Sequence, residues 1–201
     1  MEATQILSSE HRVIEQVIAA LGAAAGRLDA GENVRPGFFV DATRFIRDFA
    51  DGHHHGKEEG VLFEAMASHG VPVDGGPIGM MRHEHEQARG LTAGLGDAAE
   101  RLAAGDRGAA DTVIDYARAY GELLTQHIYK EDNILFPMAA EVIPPRDQDT
   151  VLADFERVER ALAGQGAKAS YLELAQALCG EMGVDVEAAP RREVRLPCHA
   201  R

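Results

Sequence analysis

The sequence predicts an all-α fold, an antiparallel up-down four-helix bundle with additional C-terminal helices. Two observations predict it. Apolar residues recur at alternating steps of three and four along most of the chain, which is the spacing that places them on one face of a helix. Glycine and proline cluster between these stretches, and four long helices joined by such short loops are typical of a bundle.

The first two predicted helices are separated by a short loop. The first helix runs from about Thr4 to Leu28, and His11 lies within its apolar face. The segment from Gly31 to Pro36 ends it, because glycine and proline interrupt helical periodicity. The apolar face of the second helix is formed by Phe38, Ala42, Phe45, Phe49, Leu62, Phe63 and Met66.

The third and fourth predicted helices repeat this arrangement. After the loop from Gly70 to Pro77, a third helix runs from Ile78 to Leu102, and its apolar face again contains one histidine, His85. A turn at Gly105 to Gly108 leads to the fourth helix, which runs from Val113 to Met138. The two halves of the bundle are therefore each a helical hairpin.

We expect three segments along the chain. Residues 1–145 form the bundle, and residues 146–183 form a C-terminal helical extension packed on it, since weaker apolar patterns there end at Gly164 and Gly183. Residues 184–201 lose the pattern and are expected to be a flexible tail.

Composition excludes several classes of protein. With 33 acidic and 20 basic residues the net charge is −13, which disfavours nucleic-acid binding. The apolar runs are too short to span a membrane, and the N-terminus lacks the pattern of a signal peptide. Cys179 and Cys198 are the two cysteines and are not in CxxC spacing, so a disulfide framework and a zinc ribbon are excluded. We therefore expect a cytoplasmic protein.

An internal repeat contains most of the residues that could bind a metal. Residues 54–63 read HHGKEEGVLF and residues 127–136 read HIYKEDNILF, an offset of 127 − 54 = 73. The helix before each copy carries a Glu-His pair, Glu10-His11 and Glu84-His85, at an offset of 85 − 11 = 74. Each hairpin thus contributes one histidine from its first helix and a His-x-x-x-Glu pair from its second.

The spacing of histidine and glutamate in this repeat predicts a metal site. Residues four apart lie on the same helix face, so His54 with Glu58, and His127 with Glu131, can each present an imidazole and a carboxylate to one point. Burying two unpaired carboxylates would cost several kcal/mol or more, and a multivalent cation removes that cost. Imidazole and carboxylate ligands suit iron or manganese, and zinc less specifically.

At these residues the sequence resembles the hemerythrin-like family, the HHE cation-binding domains. The resemblance spans roughly residues 4–140 and rests on EHRVIEQV, HHGKEEGVLF, MRHEHEQAR and HIYKEDNILFP in helices one to four. It implies a four-helix bundle around a non-haem di-iron centre that binds oxygen, senses it, or handles peroxide or nitric oxide. A related group repairs iron–sulfur clusters. Carried over by position, the ligands of the two irons are His11, His54, Glu58, His85, His127 and Glu131, with the glutamates bridging.

Helix three departs from the oxygen-carrying members, which have His-x-x-x-His there. Four residues from His85 stand Met81 and Arg89, and neither is a plausible replacement. Either one metal keeps a more open coordination site or another residue fills the gap, and Tyr120, seven residues before His127, is our candidate for ligand or outer partner. The departure favours redox chemistry on a peroxide or diatomic molecule over reversible oxygen storage.

The register of helix two is a second open point. Alignment of the repeat selects His54 and Glu58, whereas heptad counting from Phe45 selects His55 and Glu59. We follow the repeat, because Gly52, Gly56 and Gly60 would allow a local bulge that shifts the helical phase. In helix four, Asp132 is likewise an alternative to Glu131.

The remaining histidines and the two repeat lysines are given structural roles. We expect His53 at the edge of the cluster, His69 in a loop, His199 in the tail, and Lys57 and Lys130 as solvated charges. The predicted function is a metal-binding protein whose di-iron centre binds or reduces a small oxidant. The alternative is a non-catalytic sensor or an iron–sulfur cluster repair protein.

Overall fold

Helices are the main structural elements of the described part of the chain. The computed structural model describes residues 3–162 and 168–185, and within these ranges it contains no strand. A single 3₁₀ turn, Arg107–Ala109, precedes the fourth helix. The helices are α1 (Ala3–Asp29), α2 (38–68), α3 (Gly76–Ala103), α4 (110–142), α5 (Pro145–Leu162) and α6 (Lys168–Met182).

Glycines end two of the long helices in the same way. Gly31 follows α1 with φ +75° and Gly105 follows α3 with φ +98°, a left-handed conformation that other residues adopt at a cost. The amide of Glu32 donates to the carbonyl of Arg27 at 2.9 Å, and that of Asp106 to the carbonyl of Arg101 at 3.0 Å. This is the Schellman arrangement, and it turns the chain sharply into the next loop.

α2 and α4 are not α-helical throughout. α2 passes from an α-helix, Phe38–Phe45, into a π-helix at Ile46–His55, a second π-helix at Glu58–Leu62, and a final α-helical stretch at Phe63–Ser68. α4 has one π-helical segment, Glu131–Leu135. The bulge that the glycines of α2 were expected to allow is thus present, and it occurs where the sequence places its metal ligands.

Neighbouring helices run in opposite directions. His11 near the start of α1 lies 3.1 Å from Glu131 in the second half of α4, whereas Asp29 at the end of α1 pairs with Arg118 near the start of α4 at 2.7 Å. α4 also packs along α3, and α3 packs against α2. These contacts are compatible with the predicted up-down four-helix bundle.

A layer of buried polar residues divides the core in two. One apolar cluster joins the second half of α1 to the first half of α2 and to α6, with Leu21, Phe45 and Leu95 fully buried in it. The other joins the start of α1 to the end of α2, with Phe63 and Phe155 among its members. Between them lie the buried histidines and glutamates of α1 to α4.

The two C-terminal helices pack against α1 and α2. α6 lies against α1 and α2, and α5 lies against α1 and the second half of α2. The predicted boundaries of the bundle and extension stay predictions. The expected flexible tail lies outside the described residues from residue 186 onward, as do Gly164 and Gly166. Among the described residues, none of the helices combines the length and apolar character of a membrane span.

We expect Leu95→Ala to lower the free energy of unfolding by about 2–5 kcal/mol, because it leaves a cavity at a fully buried position. The measurement is chemical denaturation of the metal-free protein followed by circular dichroism. Met80→Ala is the control, since that side chain is 52% exposed and should shift stability by no more than about 0.5 kcal/mol. Equal shifts for the two variants would contradict this assignment of the core.

Candidate metal centre

Two buried carboxylates lie at the middle of the polar layer. Glu58 and Glu131 are both 0% exposed, and each stands at the start of a π-helical segment, Glu58–Leu62 in α2 and Glu131–Leu135 in α4. No donor among the described residues makes a hydrogen bond to any of their four oxygens. Because buried polar atoms are normally paired, four such oxygens together are the kind of donor set that holds a cation.

The oxygens of each glutamate face imidazole nitrogens on two sides. Glu58 Oε1 lies 3.3 Å from His54 Nε2, and Glu58 Oε2 lies 3.4 Å from His85 Nε2. Glu131 Oε2 lies 3.1 Å from His11 Nε2, and Glu131 Oε1 lies 3.2 Å from His127 Nε2. Each glutamate therefore stands between two histidines in the position of a bridging ligand.

These groups form two adjoining sets of metal-ligating atoms. The first set is His11, His54, Glu58 and Glu131, and the second is His55, Glu58, His85 and His127; within each set the ligand atoms lie within 4.8 Å of one another. We call them the two-histidine position and the three-histidine position. In the latter, His85 Nε2 and His127 Nε2 are 3.0 Å apart, a separation that suits one proton between them in the metal-free protein and two ligands of one cation in the loaded protein.

Each of the five imidazoles is held from behind by a carboxylate. The Nδ1 atom lies within hydrogen-bond distance of a carboxylate oxygen in every case, which leaves Nε2 directed at the centre. This carboxylate–histidine arrangement is the usual way in which proteins orient histidine ligands of metals. The pairs are His11–Asp132 at 2.9 Å, His54–Glu10 at 3.1 Å, His55–Asp51 at 3.3 Å, His85–Glu59 at 2.7 Å and His127–Glu84 at 2.9 Å.

A layer of cationic side chains lies outside these carboxylates. Arg12 pairs with Asp132, Lys57 with Glu10, and Lys130 with Glu84. Arg89 contacts both Asp51 and Glu59, at 3.2 and 3.1 Å. The charges around the centre therefore alternate in sign from the inside outward, which lowers the cost of burying each layer.

The structure brings all six predicted ligands together and adds His55. His54 and His55 were treated as alternatives in the sequence, and both are buried at the centre, 1% and 3% exposed. The π-helix at Ile46–His55 explains this, because its wider turn reduces the angle between successive side chains and shifts the phase between Phe45 and Leu62. Counting from either end therefore selects a residue that does face the site.

Glu59 and Asp132, which compete in the sequence with Glu58 and Glu131, lie outside the centre. They face the Nδ1 atoms of His85 and His11, so in this geometry they orient histidines while Glu58 and Glu131 occupy the centre.

The hydroxyl of Tyr120 is buried and makes no hydrogen bond with the described residues, and burial raises its pKa.

The expectation that Lys57 and Lys130 are solvated charges is wrong for Lys57. Its side chain is 0% exposed, whereas that of Lys130 is 30% exposed. His53, expected at the edge of the cluster, is buried beside Glu10, with Nε2 and Oε1 3.3 Å apart. His69 ends the α-helical part of α2 and lies 3.0 Å from Asp147, and His199 lies outside the described residues.

Without a metal, the centre holds protons instead. Burial lowers the pKa of His11, but the hydrogen bond with Asp132 and the nearby charge of Glu131 outweigh it and raise the pKa to about 9. Burial likewise lowers the pKa of His127, and the charge of Glu131 raises it to about 10. Burial and the charge of His85 lower the pKa of His55 to about 4, so this imidazole is neutral at pH 7.

A family model described as the hemerythrin HHE cation binding domain matches residues 2–139. Among curated proteins, uncharacterized proteins of Mycobacterium bovis and Mycobacterium tuberculosis are 25% identical over 171 residues, 85% of this chain and 66% of theirs. This chain thus spans slightly less than two thirds of those relatives. The 171 aligned residues outnumber those from 2 to 139, so the similarity continues into the C-terminal helices. No solved structure matches the chain significantly.

We expect His85→Ala and His55→Ala each to reduce the metal retained after purification by about 10-fold or more, because each removes one imidazole from the three-histidine position. His83→Ala is the matched control, since its side chain is exposed on the same helix as His85. Elemental analysis measures the retained metal. If His83→Ala loses as much metal as His85→Ala, the face of α3 is misassigned.

Metal binding should release protons at pH 7. In the metal-free protein His11 and His127 have pKa values of about 9 and about 10 and are protonated, whereas a bound metal requires their neutral forms. Their raised pKa values stabilise the metal-free fold below about pH 6.5, and this stabilisation is lost as pH rises through about 9 to 10.

The increase in melting temperature that Mn²⁺ or Zn²⁺ causes should therefore be larger at pH 8.5 than at pH 6. Differential scanning fluorimetry of metal-free and loaded protein measures it. An increase that is the same at both pH values would contradict the protonated state of His11 and His127 in the metal-free protein.

Proposed function

Since the chain belongs to the hemerythrin HHE cation-binding family, we propose that it is a four-helix bundle holding a carboxylate-bridged pair of iron ions that binds or reduces a small oxidant. Glu58 and Glu131 would each hold both irons. His11 and His54 serve one iron, and the remaining imidazoles, among them His55, serve the other. The oxidant is oxygen, peroxide or nitric oxide.

The observation that carries this proposal is the set of four buried carboxylate oxygens that make no hydrogen bond with the described residues and lie between opposed imidazoles. Every Nε2 atom of the five histidines is directed inward, and every Nδ1 atom is held by a carboxylate. A site built for a proton network alone would not need both bridging carboxylates at 0% exposure. Two cations satisfy all of these atoms.

The chemistry of the donors supports iron. Imidazole and carboxylate ligands without thiolate suit iron or manganese, and they suit zinc less specifically. Cys179 is a free thiol buried in the apolar cluster that includes α6, away from the two sets of ligands. A free thiol also fits our inference that the protein works in the cytoplasm.

Burial of the ligands supports a small substrate. The seven side chains at the centre are at most 3% exposed, so only a molecule the size of a diatomic or of peroxide can reach them without large movement. We place it at the two-histidine position, which has one imidazole fewer. When bound, an iron pair supplies two electrons by passing from ferrous to ferric. The protein's part is to hold the imidazoles, exclude bulk water and bridge the ions with Glu58 and Glu131.

A second candidate function is a non-catalytic sensor of oxygen or nitric oxide, or an iron–sulfur cluster repair protein. The near-complete burial of the ligands favours the sensor, because product exchange on every turnover would require access that a single binding event does not.

Anaerobically reduced, iron-loaded protein mixed with hydrogen peroxide and an excess of reductant separates these candidates. We expect two irons per chain by elemental analysis and consumption of many equivalents of peroxide, because each reduction of peroxide to water takes two electrons. Consumption of about one equivalent would identify a sensor or carrier. Iron bound at much less than two per chain, with a melting temperature unchanged by chelators, would overturn the di-iron proposal.

A further inference from the structure

Lys57 is a buried ammonium group whose hydrogen-bonding capacity is filled from three helices. Its Nζ atom contacts Glu10 of α1, His53 Nε2 of α2 at 3.2 Å, and Glu159 of α5 at 3.4 Å. An ammonium group has three N–H donors, and these three groups accept all of them when His53 Nε2 carries no proton. The ring of Phe155, also on α5, lies 5.8 Å from Nζ and covers it on another side.

Two successive contacts connect Lys57 to the candidate metal centre. Glu10, which holds Lys57 through Oε1, holds His54 Nδ1 at 3.1 Å through Oε2. His54 belongs to the two-histidine position. The position of the Lys57 ammonium therefore determines where the Glu10 carboxylate stands and how it directs the imidazole.

The second copy of the repeat has no equivalent of the contacts between Lys57 and α5. Lys130 pairs with Glu84, which holds His127 Nδ1 at 2.9 Å, so the inner part of the network is the same. Lys130, however, is partly exposed, and α5 contributes to the Lys57 side. Helix α5 lies beyond residues 2–139, to which the family match extends.

We propose that Glu159 of the C-terminal helix α5 is a positioning residue of the metal centre, which acts through Lys57 and Glu10 on His54 and so sets the affinity of the two-histidine position alone. Glu159 takes up one of the three donors of Lys57. Without its carboxylate, the ammonium is balanced by Glu10 alone and draws that carboxylate away from His54. This inference rests on the proposed pair of metal ions and assigns a role to the C-terminal extension.

Stepwise binding of Co²⁺ to the full-length metal-free chain, followed by visible absorbance, tests the proposal. We expect Glu159→Gln to weaken one of two binding steps by about 3- to 10-fold and to leave the other unchanged. Lys57→Met should weaken the same step by about 10-fold, the low end of the range found when a group that contacts a metal ligand directly is removed, because Lys57 acts on His54 through Glu10. Lys130→Met should weaken the other step instead.

Glu156→Gln is the matched control, because Glu156 is an exposed glutamate on the same helix, 70% exposed at its side chain. It should leave both steps unchanged. If Lys57→Met does not fold, the comparison of Glu159→Gln with Glu156→Gln decides the question, since Glu159 is itself 37% exposed and its substitution is mild.

Failure of the proposal is distinguishable from failure of the metal centre. An unmodified chain that binds two Co²⁺ while Glu159→Gln changes neither step, or both equally, overturns the role of Glu159 alone. An unmodified chain that binds no Co²⁺ overturns the proposed centre and this inference together.

Discussion

Two carboxylates buried without hydrogen-bond donors are the constraint on which this structure depends. Leaving Glu58 and Glu131 charged in an apolar interior costs several kcal/mol for each ion unless opposite charge surrounds them. The imidazoles supply part of that opposite charge. The outer carboxylates contact the imidazoles, and lysines and arginines form ion pairs with the outer carboxylates. Each of the helices α1 to α4 contributes side chains to these layers. The rotation of each helix about its axis is therefore constrained by the need to direct those side chains at the same centre.

The π-helical segments are the means by which α2 and α4 meet that constraint. The segments at Glu58–Leu62 and Glu131–Leu135 are equivalent in the repeat and place the two central glutamates symmetrically. The segment at Ile46–His55 has no counterpart, since α4 is α-helical over the corresponding residues as far as Lys130. The repeat therefore places equivalent side chains on the two sides of the centre. The unmatched π-helix adds His55 to one side, so the two sides differ in their number of imidazoles.

The sequence predicted the helical fold and the groups at the centre because both depend on local spacing. Apolar periodicity located the helices, and the repeat located His11, His54, His85 and His127 with their two glutamates. His55 was missed as a member of the set because α-helical spacing forbids adjacent histidines from facing one point, and only a change in helix type permits it. A phase conflict between Phe45 and Leu62, visible in the sequence, was the signal that could have found it.

The buried state of Lys57 could not be read from the sequence for a different reason. Its burial depends on Glu159 and Phe155, which stand about a hundred residues later and come from a helix with only a weak apolar pattern. A contact of that kind is set by how elements pack and not by spacing along one of them. Lys130 occupies the same place in the repeat and stays partly exposed, so local sequence alone does not distinguish the two lysines.

The unmatched π-helix also bears on how such a centre can change during evolution. His55 corresponds in the repeat to Ile128, a buried apolar residue on an ordinary α-helix. A π-helical turn contains one residue more than the α-helical turn it replaces, so a single inserted codon is enough to create one. Insertion of one residue can therefore add an imidazole to one side of such a centre while the other inward-facing side chains keep their places.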